Sequence, residues 1–287
     1  MQYNPEFVSH HPILTDDEKI ELEQLSNAYP LKSFLGDQRN FEEMMVDFVY
    51  TSAKIEGNTY DRLDTDNLLR MGITAGGKIY SDAVMLKNLR SGFEQVMTRQ
   101  DNAVLDLDYT SALHGVLMNG LLEPSQIGSV RDTAVNIGAS SYKPLSSRER
   151  LKTEAKFIFV EASKYDNAFE KAIYLHCNLA YLQYFKDGNK RTARMMQTAS
   201  LVNDDKLPLF FNDTLIEKYK RATIEYYEKG TYAPYVAFFK ENYQLNIQNF
   251  LGLENSQELK KSLMDKPIEV RPKAEYKPLA TSKGLKR

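Results

Sequence analysis

A chain of 287 residues with 42% hydrophobic content and a formal charge of −2 can bury one sizeable core, and it has no electrostatic reason to coat nucleic acid. Its one cysteine, Cys177, excludes an intramolecular disulfide and argues against a Cys-based zinc site. No run approaches the roughly 18 apolar residues of a membrane span, and MQYNPEFVSHHPILTDDEK lacks a basic-then-apolar leader, so a cytoplasmic protein is expected.

With only 14 glycines and 10 prolines, long helices are expected rather than many short strands. The first is 15–29, opened by a Thr cap and acidic first-turn residues. Residues 41–55 place Phe41, Met44, Met45, Phe48, Val49, Ser52 and Ile55 on one stripe, which runs into Glu56-Gly57-Asn58, a sequence able to end a helix in the left-handed conformation. MGITAGGKIY at 71–80 is a break, after which 81–98 and 108–122 read as helices.

Residues 126–145 change character: Val130, Ala134, Val135 and Ile137 sit among polar residues and glycine, and the expectation is a short β-hairpin. Helices resume over 147–164, 167–183, 189–204, 212–228 and 231–243. The tyrosine-rich 224–235 reads as helix packing, since no basic groove accompanies it. From Leu259 onward Lys and Arg recur with prolines at 267, 272 and 278, which predicts an extended, solvated tail.

The stretch QYFKDGNKRTAR, Gln183 to Arg194, is where chemistry concentrates. Gly188 permits a close backbone approach, and a helix starting near Asn189 points free N–H groups outward toward an anion. Lys190, Arg191 and Arg194 add positive charge, with the two arginines on one helical face. Asp187 stands where a divalent cation could also touch phosphate oxygens. On spacing alone, a capped helix with a solvated basic face fits equally well.

This stretch resembles the signature of the Fic-domain family, His-x-Phe-x-Asp/Glu-Gly-Asn-x-Arg-x-x-Arg. Phe185, Asp187, Gly188, Asn189, Arg191 and Arg194 match in order, Lys190 replaces the more usual glycine, and Gln183 stands in place of the histidine. Upstream, SAKIEG at 52–57 resembles the family's inhibitory motif, Ser/Thr-x-x-x-Glu-Gly/Asn.

The resemblance implies an all-α, Fic-type core over 101–250 with a small β-hairpin flap at 126–145 that presents a target protein. Before it would lie an N-terminal helical region, 1–100, carrying the inhibitory helix 41–57, and after it the basic tail 251–287. It further implies ATP as substrate with Mg2+ at Asp187, and AMP transfer to a protein hydroxyl. Gly188, Asn189 and Lys190 would cradle the anion, with Arg191 and Arg194 on the outer phosphates. Glu56 would pair with Arg194 and so keep ATP from binding productively, and Ser52 would support it by hydrogen bonding, with Gly57 closing the motif.

In such enzymes the histidine takes the proton of the attacking hydroxyl, and glutamine cannot. General base catalysis is worth about 10²–10⁴-fold, so Gln183 predicts a crippled transferase rather than a dead one. The other readings are a nucleotide-binding pseudoenzyme that holds a partner, and a Glu56-dependent enzyme that removes AMP. His176, about 10 Å back on the same helix, reads as a packed structural residue. His10, His11 and His114 have no place in the site that the sequence can assign.

Overall fold

The computed structural model describes residues 1–98 and 104–265, and these residues hold twelve α-helices and no strand. An N-terminal strap runs to Leu14 with a single 3-10 turn at Pro5–Val8. It leads into α1 (Asp16–Ala28), where Thr15 and Glu18 form the reciprocal capping box the sequence announces. After the short α2 (Leu31–Gly36) comes α3 (Gln38–Ile55), capped by Asp37, whose stripe buries Met45, Phe48, Val49, Ser52 and Ile55. Phe48 packs on Phe93 of α5 (Tyr80–Met97), ring centroids 4.7 Å apart.

Between them lies α4 (Arg62–Met71), which the pattern did not announce. It buries only Thr65, Leu68 and Leu69, too few apolar positions to mark a stripe, and its boundaries come from an Asp61 cap and a left-handed Gly72. The core continues with α6 (Leu107–Met118) and α7 (Arg148–Ala162).

At the centre stands α8 (Ala168–Leu182), buried on nearly every face except Lys171, as an apolar helix of this kind must be. Against it packs α9 (Asn189–Asn203), also buried along most of its length but carrying Arg191, Thr192, Arg194, Gln197, Thr198 and Ser200 inside. A polar helix in the middle of a core needs partners for those groups, and they are where the functional geometry lies. Tyr219, Tyr226 and Tyr227 of α10 (Ile216–Lys229) and Tyr235 of α11 (Ala233–Leu251) close over the pair.

Two expectations are corrected. The β-hairpin over 126–145 is not formed. Its backbone follows a loop in which the Arg131 guanidinium donates to the carbonyls of Thr133 (2.7 Å) and Leu145, so one side chain spans the gap that ladder bonds would have crossed. Among the described residues the isolated bridge in this segment joins Lys143 to Gln2 of the strap, in parallel sense. The extended stretch expected from Leu259 begins instead inside a helix, α12 (Ser256–Asp265), and its proline-spaced remainder over 266–287 lies outside the described residues. No helix among the described residues is long and apolar enough to cross a membrane.

Candidate active site

The site is the turn between α8 and α9. Gln183 ends α8 in the left-handed conformation (φ 52°, ψ 52°), and its side-chain amide is bonded at both atoms. Nε2 donates to the Ala180 carbonyl at 2.7 Å, capping the free end of the helix, and Oε1 accepts from Asn189 at 3.2 Å. Its own carbonyl accepts from Arg131 Nε at 2.6 Å, while the Arg131 N–H donates to the Tyr184 carbonyl at 3.0 Å. Arg131 is buried, so the loop at 131–145 is clamped to the motif at its first two residues.

Asn189 holds the turn from the other side. Its Oδ1 accepts from Phe185 N–H and its Nδ2 donates to the Phe185 carbonyl, both at 2.8 Å. The buried Asn189 side chain is thus a staple, and what it leaves toward solvent is backbone. Gly188 precedes α9 at φ 74°, and a Cβ there would lie 2.5 Å from Met118 Sδ, so conformation and space both require glycine. No side chain caps α9, so the N–H groups of its first turn stay available to an anion.

Asp187 extends a carboxylate that is 62% exposed, bonded to Gly188 N–H (2.6 Å) and to Arg191 (2.9 Å). Arg191 itself is only 4% exposed, and its Nε and Nη1 are buried with no partner. A buried guanidinium with two unmet donor groups is costly unless something anionic meets them. Lys190, partly exposed, adds a third cationic side chain on the same turn.

Arg194 is buried to 1% exposure and is covered by the end of α3. Its Nη2 donates to Glu56 Oε1 at 3.0 Å and to the Ser52 carbonyl at 3.1 Å, and its Nη1 donates to Tyr219 Oη at 3.3 Å. The guanidinium carbon lies 5.8 Å from the Tyr219 ring centroid and 5.9 Å from that of Phe211. Glu56, 15% exposed, is the C-cap of α3. Burial pushes its carboxyl up, but Arg194, Lys190 and Arg191 outweigh that and hold it below the usual carboxylate range. Gly57 follows at φ 86°, turning the chain away.

Glu56, Ser52 and Arg194 are therefore brought together from positions 138 and 142 residues apart. Ser52 takes part through its main chain: its carbonyl accepts the bond, while its buried hydroxyl has no partner. His176 is structural as expected, stacked on Tyr235 and bonded to Tyr219 Oη at 3.1 Å, with burial as the main force lowering its basicity. His10 and His11 lie in the strap, against Tyr165 and Tyr232.

His114, unassigned by the sequence, lies beneath the loop. It bonds the Asp187 carbonyl and stacks on Phe185 at 3.8 Å, and burial lowers its pKa to about 4. Nothing in the spacing of α6 distinguishes it from a core residue, so only the fold could reveal it.

A family model for the Fic/DOC family matches residues 104–201. The protein adenylyltransferase fic-1 of Caenorhabditis elegans is 23% identical over 222 residues, covering 75% of this chain and 43% of its own length. The protein adenylyltransferase Fic of Culex quinquefasciatus is 22% identical over 230 residues, with shares of 79% and 45%. The chain thus spans less than half the length of these curated relatives.

Among solved structures, a Fic family protein from Desulfovibrio desulfuricans superposes with a TM-score of 0.71 at 16% identity, covering 85% of this chain and 77% of that one. A fragment of C. elegans Fic-1 gives 0.67 at 18%, with shares of 82% and 72%. The segment 104–201, whose turn, stapling asparagine and two buried arginines form the site described above, carries the match to the Fic/DOC family.

Proposed function

We propose that this chain binds ATP at the turn before α9 and transfers AMP to a hydroxyl on a target protein, slowly, and only when Glu56 leaves Arg194. The observation that carries the reading is the buried cationic cluster itself. Arg191 has two donor groups without partners, Arg194 is neutralised by one carboxylate delivered from a separate helix, and the first N–H groups of α9 are uncapped. Such a cluster has the charge and donors to bind a polyphosphate that replaces Glu56 on Arg194.

The division of labour follows. Residues 1–100 act as a regulatory region whose helix 41–57 brings Glu56 to the core at 101–250. The backbone of Gly188, Asn189 and Lys190 cradles phosphate oxygens, and Arg191 and Arg194 take the outer ones. The exposed Asp187 carboxylate suits Mg2+, which binds through one or two carboxylates and keeps its remaining positions for water and substrate phosphates. It would supply charge neutralisation there. The target's hydroxyl oxygen attacks the α-phosphorus, the bond to pyrophosphate breaks, and the hydroxyl proton passes to solvent. The loop at 126–145, clamped to Gln183 through Arg131, is the surface along which the target lies.

The pseudoenzyme reading has its own support. The polar atoms of the Gln183 side chain bond Ala180 and Asn189, so the residue at the histidine position serves as a structural cap and not as a base. Labelled ATP separates the two readings across the parent chain, Glu56→Gly, Gln183→His and the double variant. Self- or target labelling by Glu56→Gly, abolished by Arg194→Ala, supports transfer. The increment from Gln183→His should be about 10²–10⁴-fold. Labelling only by the double variant makes the parent a nucleotide-binding protein. Failure of all four to bind ATP removes the reading.

A further inference from the structure

We propose that His114 is a positioning residue that ties the loop bearing Gly128 to the turn at Asp187, and so sets that turn for the nucleotide. The inference rests on reading the turn as a nucleotide site.

His114 lies on α6, fully buried, between the loop bearing Gly128 and the turn at Asp187, which the Arg131 clamp joins at a second point. Gly128 N–H donates to Nδ1 at 2.9 Å, so Nδ1 carries a lone pair and no proton. The ring proton then sits on Nε2, which is 3.0 Å from the Asp187 carbonyl and donates to it. One neutral tautomer satisfies both bonds, and moving the proton to Nδ1 breaks both. The stacked Phe185 ring, parallel within 11°, fixes the plane in which the two nitrogens point.

Each end of the tie is held by a second constraint. Gly128 has φ 66°, and a Cβ there would lie 2.9 Å from the Ser111 carbonyl oxygen, so the loop runs tight against α6 at this residue. At the other end, a Cβ on Gly188 would lie 3.5 Å from His114 Nε2 and closer still to Met118, so the ring is part of the floor on which the glycine turn rests. With both nitrogens committed, His114 offers no lone pair to an attacking hydroxyl. It cannot replace the base missing at Gln183, and its effect on the site passes through the Asp187 backbone.

Two near-isosteric variants separate the two bonds. The amide oxygen of His114→Asn falls near the position of Nδ1 and keeps the Gly128 bond. The amide nitrogen of His114→Gln falls near Nε2 and keeps the Asp187 bond. Both are made in the full chain with Glu56→Gly, so that the site is open, and read by calorimetric Mg2+·ATP affinity and by hydrogen exchange at the Gly128 amide.

His114→Asn is expected to weaken Mg2+·ATP binding about tenfold with Gly128 still protected. His114→Gln is expected to restore most of that affinity while Gly128 exchanges about tenfold faster. Loss of both readouts together in both variants, as plain loss of packing would give, overturns the proposal. So does unchanged affinity in His114→Asn.

Should neither variant fold, the imidazole nitrogen resonances of the parent decide. Protonated Nε2 with bare Nδ1 supports the tie, and the opposite tautomer refutes it. A Glu56→Gly chain that binds no nucleotide removes the nucleotide reading alone, since the exchange of Gly128 in His114→Gln and the tautomer still judge the link between the loops.

Discussion

At the scale of single residues, Glu56 and Gln183 are opposite cases of a carboxyl or amide group meeting the core. Glu56 is a carboxylate that remains charged although poorly hydrated, because three cationic side chains face it. A carboxyl whose folded-state pKa lies below its unfolded value contributes stability above the ordinary value near 4.5, and that contribution is lost only as pH falls through the lower, folded value. The Glu56–Arg194 contact therefore stays closed through the neutral range. The ratio of ATP affinities between Glu56→Gly and the parent should stay flat from about pH 6 to about pH 8 and shrink only toward strong acid. Calorimetric titration at three pH values checks this, and a ratio that falls near neutrality would count against Glu56 as the block. Gln183 carries no charge at any of these pH values, so its caps persist as well.

At the scale of elements, the buried helix α9 depends on the turn that starts it. Gly188→Ala would place a methyl group on Met118 while holding a left-handed backbone that alanine disfavours by roughly 1–2 kcal/mol. With the clash added, destabilisation of about 2–4 kcal/mol is expected, together with loss of ATP binding. Thermal unfolding and calorimetry on the same sample test both. Normal stability and affinity would mean that the turn is softer than its packing suggests.

What the sequence revealed of these elements follows from how each is made. Helices such as α1, α3 and α8 announce themselves because their caps and apolar spacing are local, whereas α4 has too few buried residues to mark a period. The hairpin failed because alternation of Val130, Ala134 and Val135 says nothing of Arg131, whose guanidinium supplies the cross-links in place of a ladder. The pairing of Glu56 with Arg194 was legible only through the motif spacing. The Ser52 carbonyl and His114 were not legible at all, since backbone acceptors and a histidine on an amphipathic helix look alike wherever they fall.

At the scale of the whole molecule, the strap joins the two halves of the chain. From Asn4 to Leu14 it lies across α7, α8 and α10, held by side chains that address its main chain. Asn4 N–H donates to Tyr181 Oη (2.7 Å), His10 N–H to Glu161 (2.8 Å), and Ile13 and Leu14 N–H to Glu170 (2.9 and 3.1 Å). In return, Tyr174 and Tyr226 hydroxyls donate to the carbonyls of Val8 (2.6 Å) and Phe7 (2.9 Å). The helical region that carries Glu56 thus hangs from a cord anchored on the core that Glu56 reaches.

Because much of the grip is on amides, one amino acid is excluded at the pinned points of the cord whatever its side chains pack against. The prolines already present, Pro5 and Pro12, sit beside the donating positions and not at them. His10→Pro should cost about 1–3 kcal/mol more than His10→Ala, since only the proline leaves the Glu161 carboxylate without its amide. Equal melting points for the two would mean that the His10 amide contributes little to holding the cord. Evolution along this stretch is then constrained in imino content as well as in the side chains it buries, Val8 and Leu14 among them, a pattern more familiar from peptide-binding clefts than from the edge of a folded domain.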